Sequence, residues 1–276
     1  MASEMLSYID RKSPIHFLTG ATKLVCFILW SFAAMLTYDT RILVLLFTLS
    51  IAIFVVSNIK LKEVSFILGL ILLFLLINNI AIYVFAPQQG VEIYGTAHVW
   101  WELPGHYDLT AEQLFYQLNI TLKYFVVIPA ALLFIVTTNP SEFASSLNRI
   151  GVSYRIAYAV AIALRYIPDI QRDYRTIALA QQARGIDLSR NEKFLTRVKN
   201  AISIVMPLIF SSLDRIEVIS NGMELRGFGK HKKRTWYRSR QFAFIDYVAI
   251  GLFVLLLVGS LLITFYDGNR FYNPFL

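Results

Sequence analysis

Five apolar runs, each bounded by polar or turn-forming residues, set the plan of the chain: 18–36, 41–56, 64–86, 114–136 and 242–265. Inside lipid every backbone group must be bonded within its own segment, so the runs are predicted as membrane-spanning helices. The run at 41–56 is short and borrows flanking residues. Between the third and fourth runs, residues 87–112 carry Glu92, Glu102, Asp108 and Glu112 but no Lys or Arg. The Gln88-Gln89-Gly90 turn, the alternating Val91, Ile93 and Tyr94, and Val99-Trp100-Trp101 predict a hairpin or interfacial segment there, with the tryptophans as interfacial anchors.

Between the fourth and fifth runs the pattern changes from uniformly apolar to amphipathic. Asn139-Pro140-Ser141 stops the fourth span, and a short amphipathic stretch follows from Glu142 to Ile150, ended by Gly151. Residues 154–167 are apolar but too short to span, and they carry Arg155 and Arg165, so they are expected in the interface or packed under the bundle, with a sixth span made by extending them as the alternative. From Pro168, Ile170, Tyr174, Ile177, Gln181 and Arg184 recur at helical spacing on one face, and Gly185 supplies a C-cap. Ser189-Arg190-Asn191-Glu192 reads as a capping box that restarts a helix. Leu195, Val198, Ile202, Val205, Ile209, Leu213, Ile216, Ile219 and Met223 then form a second stripe reaching Arg226. Pro207 is predicted to kink or break it.

The predicted organisation is therefore a transmembrane region at 1–138 with four spans, an amphipathic region at 139–241 with helices over about 168–184 and 190–226, and a last span with a short tail at 242–276. The fold class is all-α integral membrane protein.

Charge fixes the expected orientation. The net charge is +8, and 18 of the 26 Lys and Arg lie between Arg149 and Arg240. With Lys60 and Lys62 between spans two and three, the positive-inside rule puts these segments and the N-terminus in the cytoplasm, and loop 87–112 and the C-terminus outside. The positive charge lacks an interleaved aromatic–basic motif, which argues against nucleic acid. Residues 1–13 lack the apolar core of a cleavable signal peptide. Cys26 is the single cysteine and lies in an apolar run. His98 and His106 lack a third ligand nearby, so neither a metal nor another cofactor is expected.

Two tripeptides carry the candidate chemistry. Ala183-Arg184-Gly185 and Leu225-Arg226-Gly227 end two apolar-striped helices, with their arginines 42 residues apart. One such ending is ordinary, because a cation complements the helix dipole and glycine follows helices. Two endings on apolar-striped helices fit a pair of tips for acidic grooves, where arginine forms bidentate pairs with carboxylates. Polar residues inside the spans (Asn78, Asn79, Asn119, Thr121 and Lys123) read as helix-packing glue or as marks of a substrate path. Asp169 and Asp173, among Arg172 and Arg175, read as a solvated helix face, and with Asp187 they make no catalytic motif.

At these residues the chain resembles the transmembrane T component of energy-coupling factor transporters, the EcfT/CbiQ type. In that family two Ala-Arg-Gly-type motifs cap cytoplasmic coupling helices. The first is complete here, and the second has Leu225 at its first position. Ala163-Leu164-Arg165-Tyr166-Ile167-Pro168 and Val205-Met206-Pro207-Leu208 are similar to the family as well. The resemblance implies a non-catalytic subunit with two ABC ATPases docked at the arginine tips. It also implies one substrate-binding S component on the apolar coupling-helix face at Ile202, Val205, Met206, Ile209 and Leu213. The imported substrate would be a vitamin or metal ion recognised by that S component. A conventional ABC permease that forms the translocation path itself is the alternative reading, and a membrane lipid transferase is a more distant one.

Overall fold

The structure, a computed structural model, describes residues 13–101, 107–186, 194–231, 235–236, 240–266 and 270–275. The 189–192 capping box, Glu102, His106 and Asp187 lie outside them. The chain divides into two compact units, Met1–Asn139 together with Arg240–Leu276, and Pro140–Ser239.

The first unit is built from α1 (Pro14–Phe17), α2 (Gly20–Leu36), α3 (Thr40–Val56), α4 (Leu61–Phe85), α5 (Gln89–Tyr94), β1 (Val99–Trp101), β2 (Leu109–Thr110), α6 (Ala111–Thr137) and α10 (Phe244–Tyr266). Among the described residues, three helices are long and apolar enough to cross a membrane: 64–85 of α4, α6 and α10. The apolar helices α2 and α3 are shorter, at 17 residues each. Their starts follow local chemistry. The side chains of Thr19, Asp39 and Thr110 accept from the backbone N–H groups of Thr22, Arg41 and Gln113, which satisfies donors that a helix leaves open.

Helix α2 packs on α6 and α10, and α3 packs on α6. Ala33 and Ala34 are fully buried beside Trp30, Leu46 and Val126, and small residues of this kind let apolar helices approach closely where lipid gives no hydrophobic drive. Pro129 interrupts the bonding of α6. The carbonyl of Val126, three residues earlier, accepts from Trp30 Nε1 at 3.0 Å and Ser50 Oγ at 3.3 Å. Polar side chains of α2 and α3 are thus bonded to the α6 backbone rather than left unpaired in lipid. Where α2 and α10 begin, the Asp246 carboxylate accepts from the backbone N–H groups of Thr19 and Ala243, at 2.9 and 2.8 Å.

Of the hairpin or interfacial segment expected over 88–101, the hairpin reading is corrected in part. Residues 89–94 are a helix, not a strand, ended by Gly95 at φ +72°. Only Val99–Trp101 is extended, paired antiparallel with Leu109–Thr110. Glu112, read as a loop acid, is fully buried instead. It accepts from Thr96 Oγ1 at 2.9 Å and from the His98 backbone and ring. Its neighbour Gln113 bonds Gly90 N at 2.8 Å and Ala86 O at 3.0 Å.

The second unit contains α7 (Pro140–Arg149), α8 (Tyr154–Ala183) and α9 (Phe194–Leu225). Here the expected helix start fails: α8 runs 30 residues through Pro168. Helix α9 runs 32 residues through Pro207, as the stripe over 190–226 predicts, so the proline does not break it. A mid-helix proline forfeits one hydrogen bond and crowds the carbonyl four residues back. For Pro207 that carbonyl belongs to Ser203, and Gln181 Nε2 of α8 donates to it at 3.0 Å. The lost bond is replaced across the helix pair. Gln181→Leu is expected to destabilise α9 by about 1 kcal/mol by leaving that carbonyl unpaired. Faster amide exchange around residues 203–207 would register it.

Candidate functional site

Both Arg-Gly endings fold into one geometry. Helix α8 ends at Ala183, Arg184 is the C-cap, and Gly185 takes φ +85°. The N–H of Gly185 donates to the Gln182 carbonyl at 2.9 Å, and that of Ile186 to the Gln181 carbonyl at 3.1 Å. Helix α9 repeats this. Gly227 at φ +63° donates to the Glu224 carbonyl at 2.8 Å, and Phe228 donates to the Met223 carbonyl at 2.9 Å. Each is a Schellman motif, which needs a left-handed residue just past the cap. The glycine therefore fixes the cap, and the cap aims the arginine. Gly227→Ala forces a Cβ into that left-handed position at a cost of about 1 kcal/mol. The expected result is fraying of the last turn of α9, visible as faster exchange of the Phe228 amide.

Arg184 and Arg226 are both exposed, and Leu225 is 90% exposed. The two endings sit at opposite extremes of one antiparallel pair. Arg155 Nη2 reaches Gly229 O at 3.3 Å, and Tyr158 packs on Phe228 with ring centroids 4.8 Å apart. Further along, Asp173 pairs with Arg215 and Gln181 bonds Ser203 O. Arg184 is thus level with about residue 200 of α9, some 26 residues from Arg226. At 1.5 Å per residue the tips are roughly 40 Å apart.

The Arg226 end is braced by a cluster that the sequence reading missed. Tyr154, Tyr158, Phe228 and Trp236 pack together, and Trp236 Nε1 donates to Asn148 Oδ1 of α7. The signal that could have found it is Phe228 itself, an apolar residue one step past a Schellman glycine.

Three stripe assignments change. Tyr174 is exposed, and the α8 face toward α9 carries Tyr166, Ile170, Asp173 and Gln181, of which Ile170 is only part-covered. Asp173 is therefore an interhelical tie and not a merely solvated acid, whereas Asp169 pairs with Arg172 on its own helix. On α9, Ile219 and Met223 line a hollow against α8 with Tyr166, while Ile204 is the residue fully buried. Ile202, Val205, Met206, Ile209 and Leu213 are 42–54% exposed, and Val198 continues the same open apolar line, while Ile216 borders the hollow against α8.

Of the polar residues inside the spans, Asn79, Asn119, Thr121 and Lys123 are bonded to other side chains or to the backbone, whereas the buried Oδ1 of Asn78 has no hydrogen-bond partner among the described residues. Lys123 Nζ donates to Met35 O at 2.9 Å and stands 3.0 Å from the centroid of the Tyr38 ring. Asn119 accepts from Thr40 Oγ1 at 2.7 Å and donates to the Tyr94 hydroxyl, whose phenol is pushed above its ordinary range by burial. Asn79 bonds Thr121. These contacts join α2, α3, α4, α5 and α6 as glue. The imagined histidine pair reduces to His98, held by Glu112.

A family model described as a cobalt transport protein, CbiQ, matches residues 11–237. The chain belongs to the CbiQ family. It is also similar to curated relatives called energy-coupling factor transporter transmembrane protein EcfT. The relative from Exiguobacterium sibiricum is 28% identical over 272 residues, covering 95% of this chain and 96% of that protein. The relative from Limosilactobacillus fermentum is 32% identical over 169 residues, 58% of this chain and 62% of its own length. The relative from Staphylococcus aureus is 24% identical over 258 residues, 90% of this chain and 91% of that protein. The span covered by the CbiQ match takes in both Schellman-capped arginines and the whole α8–α9 pair, and the all-α membrane architecture agrees with it.

Proposed function

We propose that this CbiQ-family chain is the T component of an energy-coupling factor importer and passes ATP-driven motion from two ATPases to a substrate-binding membrane partner. The observation that carries this reading is the pair of identical Schellman ends at opposite extremes of one antiparallel helix pair. A single docking loop engages one motor subunit. Two equivalent tips roughly 40 Å apart fit two copies of a motor domain side by side.

Each tip presents a guanidinium with five donors in a rigid fork, suited to a carboxylate in a surface groove. Leu225 adds an apolar anchor beside Arg226, and Ala183 takes the equivalent place beside Arg184. When ATP closes the two motors their grooves approach, and tips held in both grooves must follow. Helices α8 and α9 are stapled by Asp173–Arg215 and Gln181–Ser203, so displacement of the ends is transmitted along the pair. The open line through Ile202, Val205, Met206, Ile209 and Leu213 then offers the moving surface to a small apolar partner, the S component. That partner would define the vitamin or metal ion carried, and lipid would cover the rest. This chain performs no chemistry in that scheme. In that scheme the tips and the N-terminus face the cytoplasm and the C-terminus lies outside, a reading supported by the basic segments through the positive-inside rule.

Mild-detergent purification of the tagged chain from its native membrane, with mass spectrometry of its companions, tests the reading. Two ABC ATPases and at least one small hydrophobic protein are expected. ATPases alone would favour a permease that forms its own pathway, and a chain that purifies by itself would overturn the proposal.

A further inference from the structure

Residues 270–275 follow α10 and lie outside any helix or sheet, yet nearly every one is tied to the end of the first unit where α2 stops and α3 starts. Arg270 Nε donates to Leu36 O at 3.0 Å and Nη2 to Met35 O at 3.4 Å, so the guanidinium covers carbonyls that α2 leaves open. Phe271 bridges to the Tyr38 backbone, and the two rings pack with centroids 4.5 Å apart. The Arg41 guanidinium lies 4.3 Å over the Tyr272 ring.

The far end of the segment is held differently. Asn273 Nδ2 donates to Tyr94 O at 3.0 Å, and its Oδ1 accepts from Phe275 N at 2.9 Å. An asparagine bonding the backbone two residues on makes a tight turn, and this one delivers Phe275 into a box of rings. Tyr94, Phe115 and His98 stand around it with centroids at 5.9, 5.8 and 5.7 Å. The box is firm, because Tyr94 is buried and its hydroxyl is bonded by Asn119, while His98 is fixed by the buried Glu112.

Lys123 is what the segment lies against. Its long side chain runs from α6 to the end of α2, where Nζ meets Met35 O and the Tyr38 ring. Arg270 meets the same carbonyl and the same ring, with its guanidinium carbon 4.7 Å from the Tyr38 centroid. Lys123 is nevertheless only 6% exposed. Two cations at one carbonyl repel each other, so much of the hold on Arg270 has to come from contacts further along the segment. We propose that residues 270–275 are a latched lid over Lys123: Arg270 and Phe271 cover the ammonium, and Phe275 in its ring box is the latch. The lid belongs wholly to the first unit and does not depend on the function proposed for the arginine tips.

The test is timed acetylation of the detergent-solubilised full chain with a water-soluble acetate ester, read at each lysine by peptide mass spectrometry. In wild type Lys123 is expected to react about a hundredfold more slowly than Lys199, which is exposed on α9. Phe275 makes its ring contacts away from the ammonium, yet Phe275→Ala is expected to speed Lys123 about tenfold by letting the lid open, the effect of losing two or three ring contacts. Phe265→Ala removes an exposed ring from α10 outside the segment and should leave Lys123 protected. Phe275→Leu keeps apolar fill without ring packing; it is expected to fall between, and it keeps the test decisive should Phe275→Ala fail to fold. Lys123 reacting as fast as Lys199 in wild type would overturn the proposal, as would no change in the Phe275 variants or an equal gain in Phe265→Ala. Lys23, buried near the other end of α2, reports general loosening; its acceleration alongside Lys123 would also overturn it.

Discussion

A chain carrying both Arg184→Glu and Arg226→Glu is expected to reach the membrane folded and to lose its ATPases on purification. The two residues are exposed caps outside either core, so their replacement leaves the α8–α9 seam intact. At the tips, however, each substitution exchanges an attraction for a repulsion inside a partner groove. Removing one member of a buried charge pair costs about 2–5 kcal/mol, and placing like charges together adds to it. One end lost leaves the other engaged, so each single variant should retain part of its ATPase complement, with non-additive effects where the tips share one clamp. ATPases recovered at the wild-type yield in the double variant would refute docking through the arginines.

The second large effect is structural. A Cβ built on Gly90 would lie 2.5 Å from Gln113 N and equally close to the carbonyl of Glu112. Those are backbone atoms at the start of α6, so no rotamer change relieves the contact. Gly90→Ala must push α5 away from α6 and strain the Gln113 bonds to Gly90 and Ala86, together with the Glu112 bonds to Thr96 and His98. We expect a loss of about 3 kcal/mol, at the upper end for overpacking, with a clear fall in the Tm of the detergent-solubilised chain. Gly69→Ala is the control. Nothing lies within 4 Å of its Cβ, and alanine favours the helix, so its Tm should hold or rise. Equal behaviour of the two variants would contradict the close approach.

How legible this was depended on the kind of signal. The spans announced themselves because lipid imposes length and continuous apolarity. The 114–136 run against α6 at Ala111–Thr137 differs only by polar ends that hydropathy cannot score. The Arg-Gly endings were legible because glycine after a cap reports a specific backbone need, met at Gly185 and Gly227 alike. The prolines misled. Pro168 read as a helix start and Pro207 as a kink or break within a helix, because local chemistry disfavours proline inside helices. What overrides that for Pro207 is a bond from Gln181, 26 residues away, which no local pattern encodes. Buried polar nodes were hidden for a similar reason. Glu112 looks like any loop acid until the chain from Thr96 to His98 folds over it. The stripe on α9 was visible, but periodicity could not separate the part facing α8 (Ile219, Met223) from the part left open (Ile202 to Leu213).

The central claim is that the two capped arginines engage two different motor subunits while the apolar face between them engages a third protein. Photo-crosslinking residues placed in turn at Ala183, Leu225 and Ile209 of the full chain, in native membranes, test it most directly. The account predicts adducts with an ATPase from both tip positions and with a small membrane protein from position 209. Tip adducts that contain no ATPase, or an ATPase adduct from position 209 alone, would contradict it.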